Sequence, residues 1–134
     1  MMYEPNMEVL SAEECITLLR QAPVGHIGIS VGGLPVILPV NYSVVDDGIM
    51  FRTIPGSKLA AASASTVVAF EVDSHGDDGC SGWSVLVQGI AREVTDPIER
   101  EMALGAPIRA WALGDRADRV VRIEMQNLSG RRYG

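Results

Sequence analysis

Cysteine is scarce in this sequence: Cys15 and Cys80 are the only two in 134 residues. They are far apart and lack the spacing of metal ligands. A secreted disulfide scaffold and a structural zinc site are therefore excluded as readings, and a reducing compartment fits. Long apolar runs are missing as well, for none approaches the ~20 residues that a membrane helix needs. Positive charge is thin over most of the chain. Residues 1–91 carry three cations, Arg20, Arg52 and Lys58, against ten acidic groups, whereas residues 92–134 carry eight against seven. A net charge of −6 argues against generic nucleic-acid binding. Residues 1–10 hold Glu4 and Glu8 but no lysine or arginine. That is the wrong charge for a signal or transit peptide, so the expected location is the cytoplasm. No G-x-S-x-G, P-loop or H-E-x-x-H occurs, which leaves acyl transfer, nucleotide hydrolysis and zinc proteolysis without support.

What is present reads as one globular unit. Apolar residues make up 47% and charged residues 21%, near the globular average. Residues 1–10 read as an N-terminal arm and 11–134 as a single domain. Ser11-Ala12-Glu13-Glu14 is a capping box opening a helix over 11–21, which Pro23 ends. Beyond it the pattern turns short and β-branched. Strands are predicted over 24–30, 34–45 (broken or bulged near Pro39), 49–54, 67–72, 82–94 and 119–125, with a basic tail after the last. Gly32-Gly33 and Asp46-Asp47-Gly48 are hairpin turns, so the first three strands form a meander. Asp73 to Gly79 is a polar turn. Ser57 to Ala64 is a helix with an N-cap serine. Asp96-Pro97-Ile98-Glu99 opens a third short helix with proline at its first position, and 105–117 is loop. The pattern predicts a mainly β fold, a small antiparallel barrel of about six strands with helices over its openings.

The most informative segment for chemistry runs from Asn41 to Lys58. Arg52 and Thr53 end a strand, Gly56 lets backbone approach closely, and Ser57 and Lys58 open a helix. A guanidinium, two hydroxyls and an ammonium at that point make a candidate anion site. The same residues also suit an ordinary capped helix beside a surface salt bridge. A second candidate is Gly82 to Gly89, a strand carrying Trp83, Ser84 and Gln88 that could face a flat heteroaromatic ligand, or could be core with an edge tryptophan. Trp111 falls in a loop. His26 reads as a packed or edge histidine, Cys15 as core, and His75 with Asp73, Asp77 and Asp78 as a polar turn rather than a metal site.

Together, Pro39-Val40-Asn41-Tyr42, Asp46-Asp47-Gly48-Ile49, Phe51-Arg52-Thr53, Gly56-Ser57-Lys58-Leu59, Val68 to Asp73 and Trp83 to Gly89 resemble the pyridoxamine 5′-phosphate oxidase-like proteins. The likeness runs from about Ser11 to Arg132 and looks like that of the short actinobacterial-type members. It implies a six-stranded, Greek-key antiparallel split barrel that binds FMN at the interface of a homodimer. It also implies roles: Arg52, Ser57 and Lys58, with Thr53 beside them, for the FMN phosphate; Val40 and Asn41 for the edge of the isoalloxazine; Trp83, Ser84 and Gln88 for the ring from the other side; Trp111 near the ring. Where many relatives have Tyr-Arg, this chain has Gly82-Trp83, and the C-terminal segment with which the oxidases hold pyridoxal phosphate has no counterpart. The expectation is an FMN-dependent oxidoreductase acting on a small molecule, with no nucleic-acid or membrane partner. The alternatives are an F420-dependent reductase, its longer anionic tail met by the basic C-terminal third, and a non-enzymatic flavin- or haem-binding module.

Overall fold

The structure is a computed structural model and describes residues 7–57, 59–60, 65–105 and 118–134. Helix α1, Ala12–Gln21, begins where its capping box dictates. Ser11 Oγ accepts the Glu14 amide at 3.1 Å, and the Glu14 carboxylate accepts from the Ser11 amide at 3.5 Å. Ala22 turns extended ahead of Pro23, as the residue before a proline must. The helix buries Cys15, Leu18 and Leu19.

Among the described residues eight strands follow one another: β1 Met7–Val9, β2 Val24–Val31, β3 Leu34–Asn41, β4 Ser43–Val45, β5 Gly48–Thr53, β6 Thr66–His75, β7 Gly82–Glu93 and β8 Arg119–Tyr133. A second helix, α2, spans Pro97–Gly105. The strands form one antiparallel sheet in the order β3-β2-β6-β7-β8-β5-β4, with β1 added to the end of β8. The sheet curls so that β3 comes back against β5, giving the antiparallel split-barrel architecture that the sequence predicts. Its inner face holds the main core, Ile27, Phe51, Phe70, Val72, Val85, Val87 and Ile123 among others, closed by α1. A smaller core of Met50, Val94, Val120 and Ala103 lies on the other face of β5 and β8, beneath α2.

Several boundaries differ from the sequence reading, each for a physical reason. Residues 7–9 lie in the predicted arm, but they pair with Arg131, Arg132 and Tyr133. The basic tail is strand throughout, because β7 supplies a partner for it as far as Tyr133. The predicted polar turn begins late, since Asp73, Ser74 and His75 remain paired with Ser84, Trp83 and Gly82. The break in the predicted 34–45 strand falls at Tyr42 rather than near Pro39. β3 is the outermost strand, where proline's missing N–H costs no ladder bond. Tyr42 instead turns its ring into the core against Phe70, edge-on at 4.8 Å, and donates its hydroxyl proton to the Leu19 carbonyl. The three-strand meander therefore resolves into two hairpins, β2–β3 and β4–β5. These corrections raise the strand count from six to eight. Both predicted hairpin turns are present, with positive φ at Gly32, Gly33, Asp46 and Asp47. Two helices are described. Of the expected Ser57–Ala64 helix only its first residues can be placed, Leu59 and Ala60 being helical, and the rest lies outside the described residues; of the expected 105–117 loop, Gly105 ends α2 and residues 106–117 also lie outside them.

Candidate functional site

The end of β5 is built as a turn that presents hydroxyls. Ile54 C=O accepts the Ser57 amide at 3.2 Å across Pro55-Gly56, with Gly56 at φ +78, a conformation that glycine adopts without strain. The turn sets Ser57 Oγ 2.9 Å from Thr53 Oγ1, and Ser57 Oγ also accepts the Ala60 amide at 3.1 Å. Ser57 is thus an N-cap, and Thr53 is buried beneath it. These two hydroxyls, predicted together, are together. Beside them lies a cavity of about 260 Å³ lined by Thr53, Pro55, Gly56, Ala60, Glu93, Arg119 and Val121. Lys58 falls outside the described residues.

Arg52 does not share that side. Successive strand residues point to opposite faces, and Arg52 pairs with Val120, in the small core with Met50, while Thr53 pairs with Arg119 and follows Phe51 of the main core. Val40 is buried in the main core. Asn41 donates its amide to Pro23 C=O at 3.0 Å and, with Arg20, Tyr42 and Ser43, lines a cavity of about 410 Å³ at the end of α1. Continued past the pairing of Ser43 with Met50, the β4–β5 register sets Asn41 and Val40 opposite Arg52 and Thr53, at the same end of the barrel.

Trp83, Ser84 and Gln88 lie elsewhere. Trp83 pairs with Arg132 and Ser84 with Arg131, whereas Thr53 pairs with Arg119. At about 3.3 Å per residue, positions 119 and 132 are roughly 40 Å apart along β8. Trp83 packs against the main core and lines a cavity of about 380 Å³ with Glu8, Arg132 and Tyr133. Gln88 is exposed on the outer face of the sheet. Its row there runs Ile37, Gly28, Ala69, Gln88, Asn127 across five strands. Val67 and Ile90 flank the row on one side and Glu71 and Leu86 on the other. Ile37 and Val67 are each 73% exposed, so this outer face is apolar and uncovered within one chain. Trp111 lies outside the described residues.

Of the titratable groups whose pKa is shifted, two lie beside these residues. Burial pushes the Tyr42 phenol up to about 12. Burial also raises the Glu71 carboxyl, as do the hydrogen bond and charge of Asp73, with His26 opposing. Sequence reasoning missed the ionic cluster behind the β4–β5 turn. There the buried Arg122 donates to the carbonyls of Val45 and Asp46 at 2.8 and 2.7 Å and to Glu124 at 2.8 Å. Arg92 bridges Glu99 and Glu124. It also missed Arg119 and Glu93, which register alone brings to Thr53. Among the described residues no group of three His, Cys, Asp or Glu could hold a metal ion, and no helix is long and apolar enough to cross a membrane.

A curled antiparallel sheet closed by a capped helix, with ligand-sized cavities at its rim, defines the split-barrel class. The sequence profile described as pyridoxamine 5′-phosphate oxidase matches residues 11–132, and the chain belongs to that family. It is 35% identical over 128 residues, covering 90% of this chain and 82% of the other, to the uncharacterized protein Rv0080 of Mycobacterium tuberculosis. Among solved structures it is similar to an FAD binding protein from Mycobacterium smegmatis, at 34% identity and TM-score 0.79, covering 93% of this chain and 96% of that one. An FAD-binding protein from Mesorhizobium loti matches at 28% identity and TM-score 0.76, covering 96% and 97%.

Proposed function

We propose that the chain is a flavin-dependent oxidoreductase acting on a small molecule in the cytoplasm. The group it holds is the riboflavin 5′-phosphate unit, which FMN consists of and FAD contains. The observation that carries the reading is the end-to-end likeness to an FAD binding protein at 34% identity, on a barrel whose rim holds the paired hydroxyls of Thr53 and Ser57. In this reading Thr53 and Ser57, with Lys58 next in sequence, hold the phosphate. Arg52 reaches it only around the strand end. Val40 and Asn41 edge the ring. The strand carrying Trp83, Ser84 and Gln88 approaches it from the other side, with Trp83 on the inner face and Ser84 and Gln88 on the outer one, and Trp111 comes near it.

One chain keeps the Thr53 and Trp83 sets at opposite ends of β8, so a flavin touching both lies between two copies. The exposed apolar face around Gln88 is the surface on which a homodimer would close. When bound, the flavin supplies hydride or electron transfer, and the protein's share is binding, orientation and exclusion of water. The free Cys15 and Cys80 suit a reducing compartment.

The test is the absorption spectrum of the purified protein, followed by turnover of NAD(P)H against an added acceptor. Bands of oxidised flavin with turnover are expected. Deazaflavin bands would make it an F420-dependent reductase, and haem bands or a flavin without turnover a binding module.

A further inference from the structure

We propose that Arg119 is a further anion-binding residue of this site and receives the phosphate end of the flavin in the pocket it shares with Thr53. The inference rests on the flavin reading. Arg119 opens β8 directly opposite Thr53, and residues paired across strands project from the same face. That face is where Thr53 Oγ1 and Ser57 Oγ meet. Of the two arginines paired at the end of the β5–β8 ladder, it is therefore Arg119 and not Arg52 that stands on the side of the hydroxyls. Arg119 and Thr53 line one cavity of about 260 Å³, and a Cβ at Gly56 would meet nothing within 4 Å, so that wall is open.

Glu93 prepares the guanidinium. Arg119 Nη1 donates to Glu93 Oε1 at 2.7 Å, with the two side chains 50% and 37% exposed. A guanidinium carries five N–H donors, so this bond fixes its place and leaves others for a phosphate. An ion pair this exposed is weak, so Glu93 biases where the guanidinium stands without holding it back from an arriving phosphate. Glu93 then acts in two opposed ways: it positions Arg119, and its charge repels the phosphate.

That opposition gives the test a signature that a merely structural ion pair lacks. FMN and riboflavin are titrated against the intact protein, Arg119→Gln and Glu93→Gln. Arg119→Gln is expected to weaken FMN by roughly ten- to a hundred-fold. Glu93→Gln is expected to tighten it by roughly two- to fivefold, the scale of one exposed charge pair. Riboflavin, without the phosphate, is expected to bind all three proteins alike. Both variants moving FMN in the same direction, an Arg119→Gln variant that binds FMN as tightly as the intact protein, or equal losses for riboflavin would overturn the assignment and leave the flavin reading standing. An intact protein that binds neither flavin would overturn both.

Discussion

Tyr42 ties three parts of the barrel through one side chain. Its ring meets Phe70 edge-on, its hydroxyl donates to the last turn of α1, and its backbone separates β3 from β4. Removing the hydroxyl leaves the Leu19 carbonyl without that donor, so Tyr42→Phe is expected to lose about 1 kcal/mol at neutral pH. The pH dependence has a definite sign. Burial raises the phenol from 10 to about 12, so between those values the native state keeps a proton that the unfolded chain releases. Stability from this group is whole below pH 10 and declines as pH rises towards 12. Urea melts at pH 7 and pH 11 check both points. The stability gap between the intact protein and Tyr42→Phe should shrink at the higher pH, and a constant gap would contradict the burial argument.

At the scale of elements, β7 and β8 carry the molecule, since every other strand except β2, β3 and β4 pairs with one of them. Their ladder shifts register between Gln88 and Gly89, and that bulge allows no side chain at 89, where a Cβ would run into the Glu124 carbonyl. Gly89→Ala is expected to cost about 1–3 kcal/mol, the range of an overpacked site. Gly28→Ala, whose Cβ would sit 3.6 Å from that of Ala69, is expected to cost far less. Thermal melts of the two variants make the comparison, and equal shifts would show that β7 relaxes around the bulge.

Elements whose signals are local were legible in the sequence. The Ser11 box, the Gly32-Gly33 and Asp46-Asp47 turns and the long strand from Gly82 all stand as read. What depends on a distant partner was not. Residues 126–133 look like a basic tail until β7 is laid beside them, and Pro39 looks like a break until β3 is known to be an edge. The site divides the same way. Thr53 and Ser57 are four residues apart and joined by a turn whose residues announce it. Arg119 reaches them only through the β5–β8 register, and Arg52 and Thr53 look like one cluster until the strand's alternation sends them to opposite faces.

For the whole molecule the expectation is association through the outer face. Light scattering is expected to show a dimer. A charge set among Ile37, Val67 and Ile90, as in Ile90→Glu, is expected to shift it towards monomer and weaken FMN binding with it. Ile90 is 39% exposed in one chain, so folding itself should tolerate the change. A monomer that binds FMN tightly would refute the two-chain site. The outermost strand limits the other way two such sheets could meet. Pro35 and Pro39 both lie in β3, and each withholds a donor that an added strand would need. Continuous ladder growth across that border, the route from open sheets to fibrils, is thereby interrupted. On the two-chain reading, the same two residues that leave β3 intact as an edge oppose stacking side by side and leave closure face against face as the open route.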